Sequence, residues 1–533
     1  MLWGGRHARD ETHATRSGTF PSAVRLGLPK AHHPRLDISL HSTASTPSIS
    51  TTTATSTVTA TTSVVSMASP PGTAPPEGIT SLLDTDLYKL TMQCAVRKYF
   101  PDVPVRYRFT NRTPHMQLNL RAFTWLEQQV AKLAALRVTD DELAWLTTTC
   151  RYLDQGYLDY LAGFRLRPAE HVTLEFNAEG EYGGDEVVGE LLLDVHGLWV
   201  ETILYEIPLL ALISEAYFKF VDTDWTYAGQ VEQAKAKGLR LLEHGCVFSE
   251  FGSRRRRSYH AHELVLRGLC EARRDAEAHP AWTGRFTGTS NVHFAHRFGL
   301  APIGTVAHEW FMGIAAITDD YRGANETALR YWTGTFGRGV LSIALTDTFG
   351  TPAFLRAFKK PAPPPSGPTD AAAVSARQPS YADIFAGVRQ DSGDPMAFLQ
   401  TIRQFYASQG VAGPARKTIV FSDALDVDKC IRYKADTDAA GFAPSFGIGT
   451  FLTNDFRKAS TAQQQQQQQE PGEKSVPLNI VIKLSQAAGR PCIKLSDDVG
   501  KNMGSSDLMK RIKAEVDYEA KSWEGGDEAH RWG

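Results

Sequence analysis

Gly387-Val-Arg-Gln-Asp-Ser-Gly-Asp-Pro395 joins a short strand-like run to a turn dense in charge and hydroxyl groups. The same grammar recurs on both sides of it, in Phe286-Thr-Gly-Thr-Ser290, Ala301-Pro-Ile-Gly-Thr305, Leu341-Ser-Ile-Ala-Leu-Thr-Asp347, Thr418-Ile-Val-Phe-Ser-Asp423 and Ser445-Phe-Gly-Ile-Gly-Thr450. An apolar run, a polar residue at its end and then a helix, repeated in this way, predicts parallel βα units. So many units in succession favour an α/β barrel over an open sheet, with the site where the strands end.

Outward from these units, Leu83 to Phe100 reads as a helix capped by Asp84, with apolar residues at Leu87, Leu90, Cys94 and Val96. Val105 to Thr110 alternates as a strand, Glu201 to Phe220 is a strongly apolar helix, and Tyr227 to Glu243 is an amphipathic one. Asn479 to Leu495 predicts a terminal antiparallel hairpin outside the barrel. Three segments cannot pack into a core. Residues 1–77 are Ser/Thr-rich and acid-poor, which admits a transit peptide but favours a plain tail, with Met67 as a second candidate start. The Pro-rich insert 359–380 and the Gln-rich loop 461–476 read as surface chain. The expected division is tail 1–77, an N-terminal α+β unit 78–200, a catalytic barrel 201–460, and a segment 477–533 returning to the smaller unit.

The 533 residues exceed one small domain, and 42% hydrophobic with 22% charged content is that of a soluble globular chain. Lys plus Arg number 57 against 59 Asp plus Glu, a net −2, so nothing global points to nucleic acid or an anionic membrane. Any anion must be handled by local basic clusters. The six cysteines form no CxxC pair, which argues against a disulfide scaffold or a structural zinc site and fits a reducing compartment. The apolar stretch Ile203 to Ile213 is broken by Glu206 and Pro208 and falls short of the ~20 residues a membrane span needs. The expected location is cytoplasmic, with the nucleus as an additional one.

The strand ends carry the chemistry. Ser290, Thr305, His308, Asp347, Arg389, Asp391, Asp394, Ser422, Asp423, Gly449 and Thr450 stand at them. Each also has a plain reading: His308 as a satisfied core histidine, Asp394-Pro395 as an ordinary turn. In Phe446-Gly-Ile-Gly-Thr450, glycines let backbone N–H groups approach an anion, which suits a phosphate. Phe251-Gly-Ser-Arg-Arg-Arg-Arg257 is the densest basic run of the folded region. It is either a solvated face or a place where an aromatic ring can stack and a guanidinium can pair with a carboxylate or phosphate. Arg389, Asp391 and Asp394 within one turn suit a metal-bound polyphosphate, with Mg²⁺ held by the acids, in part through water.

Taken in order, Leu83-Asp-Thr-Asp-Leu-Tyr-Lys-Leu-Thr-Met92, Tyr107-Arg-Phe-Thr-Asn-Arg112, Phe251-Gly-Ser-Arg-Arg-Arg256, Gly288-Thr-Ser-Asn291, Gly304-Thr-Val-Ala-His-Glu-Trp310, Leu345-Thr-Asp-Thr-Phe349, Val388-Arg-Gln-Asp-Ser-Gly-Asp-Pro395 and Phe446-Gly-Ile-Gly-Thr450 resemble the nicotinate phosphoribosyltransferase family from about Gly78 onward. The resemblance implies an irregular, incomplete α/β barrel of the type II phosphoribosyltransferase kind, with a smaller α+β domain built from both chain ends, as a homodimer. It implies transfer from 5-phosphoribosyl 1-pyrophosphate to nicotinate, with Mg²⁺, and with ATP as a co-substrate coupled through a phosphohistidine, in NAD salvage. It places the phosphohistidine at His308 and the pyridine acid at Tyr88, Thr305 and Arg389, with Arg254 beside the ring. The phosphate turn falls at Gly449 and Thr450, and Asp391 and Asp423 lie near ribose and metal. In such a dimer Tyr88, remote in sequence, is expected to complete the neighbouring subunit's site.

Ser290 stands where nicotinamide-using relatives look to have Asp, and an ionised Asp there would repel a carboxylate, so Ser290 favours the acid. The alternatives are a nicotinamide- or quinolinate-using transferase and a catalytically silent metabolite-binding relative.

Overall fold

Parallel strands covered on both faces must be apolar almost throughout, and the runs around Val388, Ile419 and Phe446 meet that demand with fully buried side chains. The computed structural model describes residues 75–179, 184–364, 378–411, 417–461 and 472–523. The Ser/Thr-rich lead up to residue 74, the centre of the Pro-rich insert and the glutamine tract lie outside the described residues.

The chain first forms β1 (Pro104–Asn111), β2 (Leu118–Asn119), β3 (Val172–Ala178) and β4 (Val188–Leu198). Then follow β5 (Val247–Glu250), β6 (Arg285–Thr289), β7 (Ala301–Pro302), β8 (Ile343–Leu345), β9 (Gly387–Gln390), β10 (Thr418–Phe421) and β11 (Ala443–Ile448). These seven pair in parallel in the order β7-β6-β5-β11-β10-β9-β8. Chain order thus runs around the sheet and β11 returns onto β5, leaving one seam, between β7 and β8. The result is the incomplete barrel expected. Its strand β5 is the unit that the sequence pattern leaves out. The strand ends on the buried Glu250, which accepts from Thr289 Oγ1 at 2.5 Å and pairs with His262 at 2.8 Å, and a basic loop follows where other units have Gly or Asp.

β12 (Phe456–Arg457) and β13 (Lys474–Ser475) make a small ladder, after which β14 (Ile480–Ala487) and β15 (Arg490–Pro491) form the terminal hairpin. β14 adds to β1 from Val105↔Ala487 to Asn111↔Ile480. The second sheet, β15-β14-β1-β4-β2 with β3 on β4, is therefore built from both ends of the chain.

The N-terminal helix spans Leu87–Tyr99, and its residues from Leu87 to Val96 are all buried, which makes it an internal helix. Its N-cap is Asp86, two residues later than the expected Asp84, because Asp84 does not cap it. Asp84 instead receives both terminal nitrogens of Arg256 at 2.8 Å. The helix is drawn against the barrel by Leu87 N donating to Ser290 O at 2.8 Å and Thr91 Oγ1 donating to Thr305 O at 2.6 Å. Gly304 permits that approach: its φ is +151°, and a Cβ there would lie 3.3 Å from Tyr88 N.

Replacing Arg256 with Met leaves the Asp84 carboxylate buried without its ionic partner. The expected loss is about 3–5 kcal/mol of folding stability, read as a lower urea midpoint.

Candidate active site

Two adjoining cavities open at the carboxyl ends of the barrel strands. The inner one, about 220 Å³, is walled by Tyr88, Phe251, Arg254, Thr305, His308 and Arg389. The outer one, about 540 Å³, lies under the C-terminal segment. Phe251, Arg254, His308, Asp391, Ser422, Lys483 and Lys494 line both, so the two are lobes of one site.

His308 is the first residue of the helix His308–Thr318, on the segment leaving the β7 seam. Its Nε2 lies 2.9 Å from Asp391 Oδ2 and 3.7 Å from Asp347 Oδ1, and its Nδ1 lies 3.0 Å from Thr348 Oγ1. The neutral ring with Nε2–H donating to Asp391 and Nδ1 accepting from the Thr348 hydroxyl satisfies both contacts. Burial pushes the imidazole down to about 4, Lys494 adds to the effect, and the two aspartates oppose it. At neutral pH the ring is uncharged and nucleophilic. Burial alone would raise Asp391, but Arg389, His308 and Lys494 hold it well below the usual carboxylate range. It also accepts from Ser422 Oγ at 2.6 Å.

Of the four consecutive arginines, the fold uses two for itself. Arg256 pairs with Asp84, while Arg257 is buried over the Phe218 ring at 3.6 Å and donates to Ser475 Oγ at 2.8 Å. Arg254 faces both lobes with half of its side chain exposed, 3.9 Å from Glu206. Arg255 donates to Ile480 O at 3.0 Å and lines the outer lobe. The other oxygen of Glu206 is held at 2.5 Å by the fully buried Lys89, which also binds Glu309, so Glu206 is shared between Lys89 and Arg254. Arg389 donates to Val306 O at 3.1 Å and keeps a buried Nε with no partner. Gly449 lines the inner lobe and Thr450 the outer one, beside Phe251.

Three expectations change. Tyr88 lines the cavity of its own chain, because the Leu87–Tyr99 helix is pinned to the barrel rim. Ser290 lines neither lobe; it is fully buried and its hydroxyl donates to Asp86 Oδ1 at 2.7 Å, one layer behind the wall. Asp394 also lines neither lobe. It caps the helix Pro395–Ser408 by accepting from Met396 N at 2.8 Å, the ordinary turn its Pro suggested. The acid that stands with His308 and Asp391 is Asp347. Asp423 does face the outer lobe, where it is bonded to Lys501; burial raises it to about 6, with Lys501 opposing and Asp391 and Asp347 adding.

The sequence reading missed the cations of the C-terminal segment. Lys483, on β14, has no carboxylate within ion-pair distance among the described residues, and burial together with Lys494 and Arg112 pushes it well below the usual lysine value. Lys494, 4% exposed, lies 3.8 Å from Asp347. With Lys501, Arg112, Arg254 and Arg255, the outer lobe has six basic side chains against Asp391, Asp423 and Asp498. A lysine alternating in an apolar strand reads as solvated; only the β1–β14 pairing aims it at the barrel mouth. In a chain of net charge −2, this is a local anion trap.

Comparison with known proteins follows the same extent of chain. The model of the nicotinate phosphoribosyltransferase (NAPRTase) family matches residues 246–520, and that of its N-terminal domain matches residues 83–214. Nicotinate phosphoribosyltransferase from Saccharomyces cerevisiae is 45% identical over 457 residues, 85% of this chain and 99% of the relative. A crystal structure from the same yeast has a TM-score of 0.74 at 44% identity, covering 84% of this chain and 100% of the other. The crystal structure of nicotinate phosphoribosyltransferase from Porphyromonas gingivalis has a TM-score of 0.67 at 32% identity, covering 82% and 100%.

Lys483→Met is expected to lower inorganic pyrophosphate affinity about tenfold or more, the worth of a charged hydrogen bond, with the melting temperature unchanged. Isothermal calorimetry and a thermal melt separate these.

Proposed function

The chain belongs to the nicotinate phosphoribosyltransferase family, and from that premise we propose how its residues carry out the transfer. It is an enzyme that joins nicotinate to the ribose of 5-phosphoribosyl 1-pyrophosphate, giving nicotinate mononucleotide and pyrophosphate. The observation that carries this reading is a small aromatic-walled lobe opening, past Arg254 and His308, directly into a larger cationic one.

In the inner lobe Tyr88 and Phe251 hold the pyridine ring, and Arg254 and Arg389 pair with its carboxylate. The unpartnered Arg389 Nε is a donor in wait for that anion. The phosphates lie in the outer lobe, against Lys483, Lys494 and Lys501 and the Gly449–Thr450 turn. The pyridine nitrogen bonds to the anomeric carbon as its bond to pyrophosphate breaks, through an oxocarbenium-like state. The protein's part is to align the two reactants and to spread positive charge where pyrophosphate departs. Asp391 and Asp423 are oxygen donors facing the phosphate lobe, a set that fits a hard cation held partly through water. Bound there, Mg²⁺ would supply charge neutralisation of the leaving pyrophosphate.

His308 is the acceptor of the ATP γ-phosphoryl group. The neutral imidazole attacks phosphorus through the lone pair of Nδ1 as the bond to ADP breaks and ADP leaves, while Nε2–H stays on Asp391; this places new negative charge beside the pyrophosphate lobe and couples ATP to the forward direction. Asp391 and Thr348 are positioning residues that hold the ring. Selection for the acid rests on Arg254 and Arg389, with Ser290 acting from behind through Asp86. We place the enzyme in NAD salvage, in the cytoplasm and as a homodimer; that all six cysteines are unpaired supports a reducing compartment.

The deciding assay offers nicotinate, nicotinamide and quinolinate with 5-phosphoribosyl 1-pyrophosphate, with and without ATP, to wild type and His308→Ala. The acid is expected to be preferred, and the variant is expected to keep a weak transfer that ATP no longer stimulates. Preference for the amide, or acid-labile label from γ-labelled ATP in the variant, would refute the respective assignments.

The acidic limb of activity follows Asp423, whose raised pKa of about 6 means its anion is lost as pH falls through that value. Because Lys501 lowers that pKa, Lys501→Met is expected to move the limb to higher pH. A pH–rate profile with saturating substrates reads the shift.

A further inference from the structure

His308, Asp347 and Asp391 each offer one ligand atom, and these atoms all lie within 4.8 Å of one another. Bonds of about 2.0–2.1 Å at tetrahedral or octahedral angles set neighbouring ligand atoms about 2.8–3.4 Å apart. Of the separations here, 2.9 Å from Nε2 to Asp391 lies within that range and 3.7 Å to Asp347 lies a few tenths of an ångström beyond it. Asp347 supplies a second, independent sign. It is 1% exposed, one oxygen is satisfied by Ser392, and the other, Oδ1, is buried with no hydrogen-bond partner on the side facing His308. An orphaned carboxylate oxygen in such a place is costly unless something cationic shares it.

We propose that His308 Nε2, Asp347 Oδ1 and Asp391 Oδ2 form a binding site for a borderline-soft divalent cation of the Zn²⁺ class, which occludes the imidazole. The nitrogen ligand separates this cation from Mg²⁺, which favours oxygen donors and its own waters. The ring stays neutral on binding: its proton moves from Nε2 to Nδ1, where Thr348 Oγ1 at 3.0 Å accepts it and orients the ligand. Lys494, 3.8 Å from the other Asp347 oxygen, opposes the cation by its charge. Occupancy blocks phosphoryl transfer to His308, so free zinc acts as an inhibitor of ATP coupling. That consequence rests on the phosphohistidine reading, but the binding does not.

Binding is therefore tested without turnover. Full-length protein free of nucleotide and 5-phosphoribosyl 1-pyrophosphate is titrated with cobalt(II) chloride and read by its visible d–d bands. One equivalent is expected to bind, to be displaced by zinc chloride, and to resist a hundredfold excess of magnesium chloride. His308→Gln and Asp347→Asn are expected to weaken binding tenfold or more, and Lys494→Met to tighten it. Near-UV circular dichroism checks that the variants are folded; should Asp347→Asn fail, His308→Gln decides alone. Equal cobalt binding in wild type and His308→Gln, or ready displacement by Mg²⁺, overturns the site and leaves the transferase reading standing.

Discussion

A single buried ion pair brings the two halves of the site together. Arg256, fully buried, grips Asp84 with both terminal nitrogens, and Asn291 completes the carboxylate's shell at 2.7 Å. Arg256 lies two residues beyond Arg254, and Asp84 lies four before Tyr88. Joining them places a cation from the loop after β5 and an aromatic from the N-terminal helix in one cavity. Isolated ion pairs of this kind add little net stability; their use is to fix register, because each buried charge is costly unless the other is in place.

The barrel seam serves the same end. Between β7 and β8 no strand pairing constrains the chain, so after Ile303, whose N–H still bonds Thr289 O, residues 304–308 depart from the sheet and carry Thr305 and His308 into the opening. Thr305 O and Val306 O, free of a ladder, accept from Thr91 and Arg389. A closed barrel would have spent those carbonyls on a neighbouring strand. The gap is where the second domain's helix enters and where the imidazole meets its two aspartates.

Electrostatics decide what such an opening can hold. Cations from the β5 loop and from the C-terminal strand converge on the outer lobe, while the acids there are engaged one by one, Asp423 by Lys501 and Asp391 by His308, Arg389 and Ser422. The histidine between them stays uncharged because burial and Lys494 outweigh the carboxylates. A neutral nucleophile in a cationic pocket is a consistent arrangement for receiving a phosphoryl group from an anion.

Much of this was legible in the chain. The period of apolar run, polar terminus and helix determined the parallel barrel, because a strand buried on both faces tolerates few polar residues except at its end. Those ends carry His308, Arg389, Asp391, Asp423 and Gly449, which do meet in one place. Tertiary structure alone decided the rest. Ser290 and Asp394 look like site residues in sequence but spend their oxygens on Asp86 and a helix terminus, since a hydroxyl or carboxylate bonds whatever donor or acceptor the fold brings nearest. Arg254 and Arg256 are identical in type and two positions apart, yet one faces the cavity and the other a buried acid. Lys483 and Lys494 sit in an unremarkable strand and its sequel until β14 pairs with β1 and turns them toward the opening. Which face of a strand meets a cavity is set by pairing between distant segments, and local sequence does not carry that information.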